Sequence, residues 1–303
     1  MGNLISLVFP PKSLFTVDQI PDLTGQIIIV TGGNTGIGKE TCKALLNKNA
    51  KVYLAARSRS RAKDAIEWLK KETGGKTGIF LELDLADLGS IRKSVQEFKS
   101  HTSKEQELHV LFNNAGVLMP TIDQRASNGH EMHFATNVLG HYFLTMLLLP
   151  TLIHTAKFST FAGGHARVIN TSSASLYRPL GLYSQSKIGN VLFSNQLAKR
   201  YADQGIISVS VHPGFIKTEV SRNMNIPHWV QALVMLLFWE ISVFPPSQGA
   251  LTQLYAGTVP EVKPLNRKFL VPWARVADPG SLFRDEQLSE RLWNWCEEQV
   301  QGV

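Results

Sequence analysis

The chain has 303 residues, 44% apolar and 18% charged, with a formal charge of +7 at neutral pH and a pI near 9.4. That composition excludes a disordered or low-complexity protein and suits a soluble globular fold with a large core. The positive balance suits an anionic ligand or an anionic membrane surface, while the dispersed basic residues and the lack of a binding motif argue against nucleic acid.

The first segment, residues 1–23, reads as an N-terminal arm ahead of one α/β domain over 24–303. It is apolar but broken by Pro10 and Pro11 and lacks a basic start, so a signal peptide is not expected. Gly2 and Ser6 match the Met-Gly-x-x-x-Ser pattern for N-myristoylation; the other reading is an arm packed on the domain surface. A cytoplasmic protein follows, with membrane association if Gly2 is acylated. Cys42 and Cys296 are the two cysteines, and they read as free thiols rather than as a disulfide framework or metal site.

"IIIVT" is a continuous β-branched run, as expected of a strand buried on both faces. "KETCKALLNKN" reads as a helix and "KVYLAA" as the second strand. Between the first strand and that helix lie Thr31, Gly32, Gly33, Asn34, Thr35, Gly36, Ile37 and Gly38. Glycine permits the tight turn and lets backbone approach a pyrophosphate, and the helix N-terminus supplies free N–H groups and a positive dipole end. A dinucleotide site is the expectation. The second strand ends in Ala56-Arg57, where a carboxylate would select NAD. Arginine offers donors suited to a 2′-phosphate, so NADP(H) is expected over NAD(H), with Arg57 as the clamp and Arg59, Arg61 and Lys63 around it.

Further motifs follow in order: "LDLADL", "LFNNAGV", "FATNVLGHYFLT", "RVINTSSAS", "LYSQSKIGN" and "VHPGFIKTEV". With the glycine turn they make the chain resemble the short-chain dehydrogenase/reductase family over about residues 24 to 220, and most of all its retinol dehydrogenase and WW-domain-oxidoreductase branch. The resemblance implies a doubly wound Rossmann fold with a parallel sheet of about seven strands. It implies that Asp84 contacts the adenine with Leu85 beside it, and that Asn113, Asn114, Ala115 and Gly116 line the cofactor. Pro213, Gly214 and Thr218 would lie near the nicotinamide. Ser173 would hydrogen-bond the substrate oxygen, and Asn137 would hold a water linking Lys187 to solvent.

In that context Tyr183 and Lys187 read as a catalytic pair. They are four apart on a predicted helix and share a face. A lysine cation beside the phenol is expected to lower its pKa, making Tyr183 the general acid or base and leaving Lys187 to bind the nicotinamide ribose. Nine residues separate Ser173 from Tyr183, fewer than is usual in the branch, so the pocket wall is expected to differ.

Past the Pro-Gly motif, residues of about 219–246 read as a substrate lid. Its core "WVQALVMLLFW" is very apolar but short for a membrane span. It suits an apolar pocket cap, a membrane-interface contact, or core and oligomer packing. Ser247 is the expected N-cap of the next helix. "KFLVPWARVADPG" suggests a last strand and "LSERLWNWCEEQVQ" a terminal helix, with Trp293 and Trp295 as packing residues. The expected activity is NADP-dependent hydride transfer to or from a small lipophilic carbonyl or alcohol, with retinoid, steroid, terpenoid and polyketide carbonyls all fitting. The alternative is an NADP(H)-binding regulator or scaffold without turnover. Peripheral membrane contact and a homo-oligomer are both compatible with the sequence, which does not name the substrate.

Overall fold

The structure is a computed structural model that describes residues 6–7, 9–101, 107–118, 123–173, 181–217 and 244–302. Its centre is one eight-stranded sheet. The strands are β1 (Ile27–Thr31), β2 (Lys51–Ala56), β3 (Ile79–Glu82), β4 (Val110–Asn113), β5 (Ala166–Thr171), β6 (Ile206–Val211), β7 (Phe269–Val271) and β8 (Arg275–Ala277). Their spatial order is β3-β2-β1-β4-β5-β6-β7-β8. The pairings from β3 to β7 are parallel, and β8 adds an antiparallel edge. The single strand expected from "KFLVPWARVADPG" is therefore a hairpin, turned at Pro272-Trp273-Ala274 with Ala274 in the left-handed region at φ 60°.

The order reverses beside β1: β2 and β3 run out one way and β4 onward the other. Ligands of open α/β sheets bind at that switch point, outside the carboxyl ends of the strands. Every residue of β1 is buried, because helices cover both faces. The helices are α1 (Gly36–Asn47), α2 (Arg59–Glu72), α3 (Leu88–His101), α4 (Met132–Phe158), α5 (Leu182–Tyr201), α6 (Pro246–Thr258) and α7 (Glu286–Gln299). Two apolar layers result. One holds Ile29, Tyr53, Phe98 and Leu111 with α3 and α4; the other holds Ile28, Leu45, Leu54 and Phe112 with α1 and α6.

Helix α4 is long and apolar enough to cross a membrane by length and composition, yet 67% of its apolar window is buried in the protein. It serves as a core helix of the layer that also contains Leu144, Leu148 and Leu152. Helix α7 covers α5. Its Trp293 stacks on Phe193 at 6.0 Å between centroids and meets Tyr142 edge-on at 5.2 Å. Leu7 of the N-terminal arm is buried in a third cluster with Ile188, Val191 and Leu192 of α5.

Two local expectations need correcting or setting aside. Helix α6 starts at Pro246 with Pro245 as its N-cap, so Ser247 lies inside the first turn and does not cap it. Proline's fixed φ is already helical and its missing N–H costs nothing there. The greater part of the expected lid, residues 219–243, lies outside the described residues, as do Gly2, Tyr177 and Thr218. The base of that segment is described. Lys217 N donates to Phe244 O at 3.0 Å, and Phe244 N donates to Phe215 O at 2.8 Å.

Candidate active site

The glycine-rich turn is shaped by what its backbone must avoid. Gly32 and Gly36 have φ of +67° and +51°, where a side chain would be strained. A Cβ on Gly38 would lie 2.3 Å from the Gly32 carbonyl oxygen, so α1 can approach the turn only with glycine there. Thr35 is the N-cap residue of α1, in extended conformation, and Asn34 and Ile37 complete the turn. The first amides of α1 have no carbonyl above them in the helix and face the turn.

Thr31, at the end of β1, ties this turn to the loop after β4. Its hydroxyl oxygen accepts from Asn114 N and from Ala115 N, both at 2.9 Å, and the Asn114 side chain donates to Thr31 O at 2.8 Å. Asn113 faces the other way. Its amide donates to Asn170 on β5 at 2.9 Å and to Thr145 on α4 at 3.1 Å, and Asn170 donates on to Ser208 at 3.1 Å. Asn113 is thus part of a buried polar row beneath the site and does not line the cleft.

At the end of β2, Arg57 has two thirds of its side chain exposed, and its Nη1 lies 3.7 Å from Asp84 Oδ2. Asp84 also accepts from Ala86 N at 3.0 Å. Arg59 pairs with Glu82 at 2.9 Å, so both carboxylates on this side have a cationic partner. Ser58 caps α2 by accepting from Arg61 N. The Leu85 side chain is buried in the core: a Cβ on Gly140 would lie 2.2 Å from Leu85 O and 3.0 Å from Leu85 Cβ.

The catalytic candidates meet where β5, α4 and α5 converge. The Ser173 hydroxyl hydrogen-bonds the Tyr183 phenol. The adjacent Ser172 points into α5 and donates to the Lys187 carbonyl at 2.7 Å. Asn137 lies in a five-residue π-helical stretch of α4, Ala135–Leu139. Such stretches are rare and frequent at functional sites. Its side chain accepts from Val117 N at 2.9 Å and donates to Ser186 Oγ, also at 2.9 Å; Ser186 in turn donates to Tyr183 O at 2.7 Å. Lys187 is buried, its Nζ donating to Thr171 O at 3.0 Å and lying 5.7 Å from the Tyr183 ring centre. A Cβ on Gly116 would come within 3.2 Å of both Lys187 Nζ and Asn137 Oδ1. Glycine at 116 therefore leaves bare backbone against the lysine.

The electrostatics differ from expectation in one respect. Burial pushes Tyr183 up to about 12, opposed by its hydrogen bond from Ser173, and Lys187 does not offset that rise. The lysine is itself held down to about 8, because burial penalises its charge. Tyr183 in this state is a protonated acid rather than an activated phenolate.

Two residues escaped the sequence reading, and a third, Gly214, was expected without its packing. His133 accepts no role from any motif, yet its ring lies edge-on to Tyr183 at 6.1 Å and its Nδ1 is 2.6 Å from Glu131 Oε1. His141 bridges Thr31 and α4. Gly214, at φ +97°, packs its open face on Pro272 and Trp273 of the last hairpin, beside Pro213. Only His141 had a readable signal, its place four residues after Asn137 on the same helical face.

The residues present fit a dinucleotide: a side-chain-free turn under a helix N-terminus, a bare backbone at Gly116, and a lysine at its edge. The family model described as short chain dehydrogenase matches residues 26–228. A short-chain dehydrogenase/reductase of Armillaria gallica is 46% identical, covering 98% of each chain. Retinol dehydrogenase 12 of Mus musculus is 34% identical over 91% of this chain and 85% of that protein. Among solved structures, an uncharacterised protein of Mycobacterium paratuberculosis superposes with a TM-score of 0.67 at 24% identity, covering 94% of this chain and 97% of that one. The RhlG/NADP active-site complex of Pseudomonas aeruginosa gives 0.66 at 23%, covering 83% and 96%. Those two likenesses concern the fold.

Proposed function

The chain belongs to the short-chain dehydrogenase/reductase family, in its retinol dehydrogenase-like branch, and from that premise we propose that it is an NADP(H)-dependent reductase of a small lipophilic carbonyl compound, reversible as an alcohol dehydrogenase. The observation that carries the reading is the Ser173–Tyr183 hydrogen bond, made one helical turn from a buried Lys187. When bound, the nicotinamide supplies or accepts the hydride.

The chain's own residues do the rest. Ser173 and Tyr183 together offer two hydroxyls to a substrate oxygen. Tyr183, held up at about 12, keeps its proton through neutral pH and can donate it as charge develops on that oxygen. Ser173 stabilises the same charge by hydrogen bonding. Lys187, near 8, is a cation at neutral pH, with its Nζ bonded to Thr171 O and 5.7 Å from the Tyr183 ring centre, where it can attract the ribose hydroxyls. Arg57, Ser58 and the start of α2 favour a 2′-phosphate, because a guanidinium and a capped helix N-terminus both attract one. The apolar character of the substrate rests on residues 229–239 and on the branch.

The regulator reading drew on the short segment between Ser173 and Tyr183. That segment still allows the two hydroxyls to meet, so it favours no loss of turnover. The test follows NADPH absorbance across a panel of lipophilic aldehydes and ketones, with wild type beside Tyr183→Phe. Turnover that falls at least about a hundredfold in the variant, with NADPH binding kept within about threefold, supports the enzyme. Equal rates in the two proteins refute the role of Tyr183.

A further inference from the structure

The His141 ring touches both the dinucleotide turn and the stretch of α4 that carries Asn137. It is 1% exposed. Its Nδ1 lies 3.0 Å from the Asn137 carbonyl oxygen and its Nε2 lies 2.9 Å from Thr31 Oγ1. A carbonyl oxygen can only accept, so the ring proton sits on Nδ1, and Nε2 presents a lone pair. Burial keeps the ring neutral, which agrees with that assignment. The Thr31 hydroxyl has one proton to give and two lone pairs, and the lone pairs are filled by Asn114 N and Ala115 N. Its proton has two candidate acceptors, Phe112 O at 3.1 Å and His141 Nε2 at 2.9 Å. Phe112 is a strand residue, whereas the histidine lone pair would otherwise be buried without a donor, a costly state. The hydroxyl therefore donates to the ring.

We propose that His141 is a positioning residue that clamps the Asn137 carbonyl to the Thr31 hydroxyl, so that the glycine-rich turn and the Asn137 segment move as one unit. The link continues through the Asn137 side chain to Ser186 and from Ser186 to Tyr183 O, so it ends at the catalytic helix. A cofactor that orders the turn would thereby order α5. The catalytic consequence rests on the function proposed above; the clamp itself does not.

His141→Phe keeps a ring but removes both hydrogen bonds. His141→Gln keeps one donor and one acceptor, and Thr31→Val cuts the same link from the other end. The first readout is amide hydrogen exchange in residues 132–145 and 182–190, with and without NADPH. In cofactor-free protein, exchange in residues 135–141 is expected to rise in His141→Phe and in Thr31→Val and to stay near wild type in His141→Gln. NADPH is expected to slow exchange in 182–190 in wild type and in the glutamine variant but not in the phenylalanine variant. The second readout is kinetic. His141→Phe lowers kcat about tenfold or more at nearly constant KM, His141→Gln recovers most of it, and the Thr31→Val/His141→Phe double variant is no slower than the worse single. A glutamine variant as impaired as the phenylalanine one, losses that multiply in the double variant, or cofactor-free exchange unchanged in His141→Phe would each overturn the clamp. Wild type that neither binds NADPH nor turns over would instead sink the proposed function, and the cofactor-free exchange would still decide the clamp.

Discussion

Acid should weaken this fold above the pH at which its carboxylates titrate, because two buried histidines are held neutral. His141 and His212 are 1% and 2% exposed, and burial holds them down to about 4 and about 3 from an ordinary 6.5. Lys187 is the cation that adds to the depression of His141. As pH falls through 6.5 the unfolded chain takes up a proton on each ring while the folded chain does not. The unfolded state binds more protons throughout that window, so stability declines as pH drops and the decline ends only below the folded values. Each pH unit is worth about 1.4 kcal/mol per ring, which amounts to roughly 2 kcal/mol for each histidine between pH 6.5 and 5. A total near 4 kcal/mol is a large part of the roughly 5–15 kcal/mol that holds a typical domain together. Glu131 and Glu286 are held below the ordinary carboxylate range, so they add their share lower down. The assay is urea denaturation at pH 7 and pH 5 for wild type and His141→Gln, whose amide does not titrate. Wild type should lose several kcal/mol and the variant about 2 kcal/mol less. Equal stability of wild type at the two pH values, or the same loss in both proteins, would refute the reasoning.

Arg57→Ala is expected to weaken NADPH binding by about ten- to a hundredfold, the worth of a charge-assisted hydrogen bond, and NADH hardly at all. Isothermal titration with each nucleotide checks this, and equal losses would remove Arg57 from the 2′-phosphate. Trp293→Ala takes away a ring stacked on Phe193 and covered by the Arg200 guanidinium 4.8 Å from its centre. The expected cost is about 3–5 kcal/mol in denaturant unfolding, and a loss below about 1 kcal/mol would mean that α7 is not anchored by this residue.

What could be read from the sequence was what repeats a chemical necessity. "IIIVT" had to be a strand buried on both faces, and glycines 32, 36 and 38 had to sit where a Cβ would strain the chain or strike the turn. The spacing of Tyr183 and Lys187 put them on one helical face, and α5 bears that out in coordinates. Other features depend on which distant segments meet. Lys187 was expected to act on the phenol as a charge. Only the fold shows that Lys187 is buried and Tyr183 partly so, and desolvation then raises the phenol. Ser172 and Ser173 are indistinguishable as letters, and their different partners follow from the way β5 ends against α5. Ser247 misled because a serine before an apolar run is a good cap, but two prolines ahead of it already start the helix. His133 belongs to no motif, and His141, although inside one, shows its partner Thr31 only when β1 is brought alongside α4.

The hydrogen-bonded clasp between Phe215–Lys217 and Phe244 has an evolutionary consequence. Residues 217 and 244 are hydrogen-bonded neighbours, so the number and kind of residues between them can change without moving either end. Closing a longer loop costs only about 0.6 kcal/mol for each doubling of length. Descendants of one ancestral chain could therefore exchange this cassette wholesale, with the hydroxyl pair and the nucleotide turn inherited intact. New substrate ranges would then arise by replacement of a single interchangeable part, faster than by gradual reshaping of the cleft beneath it.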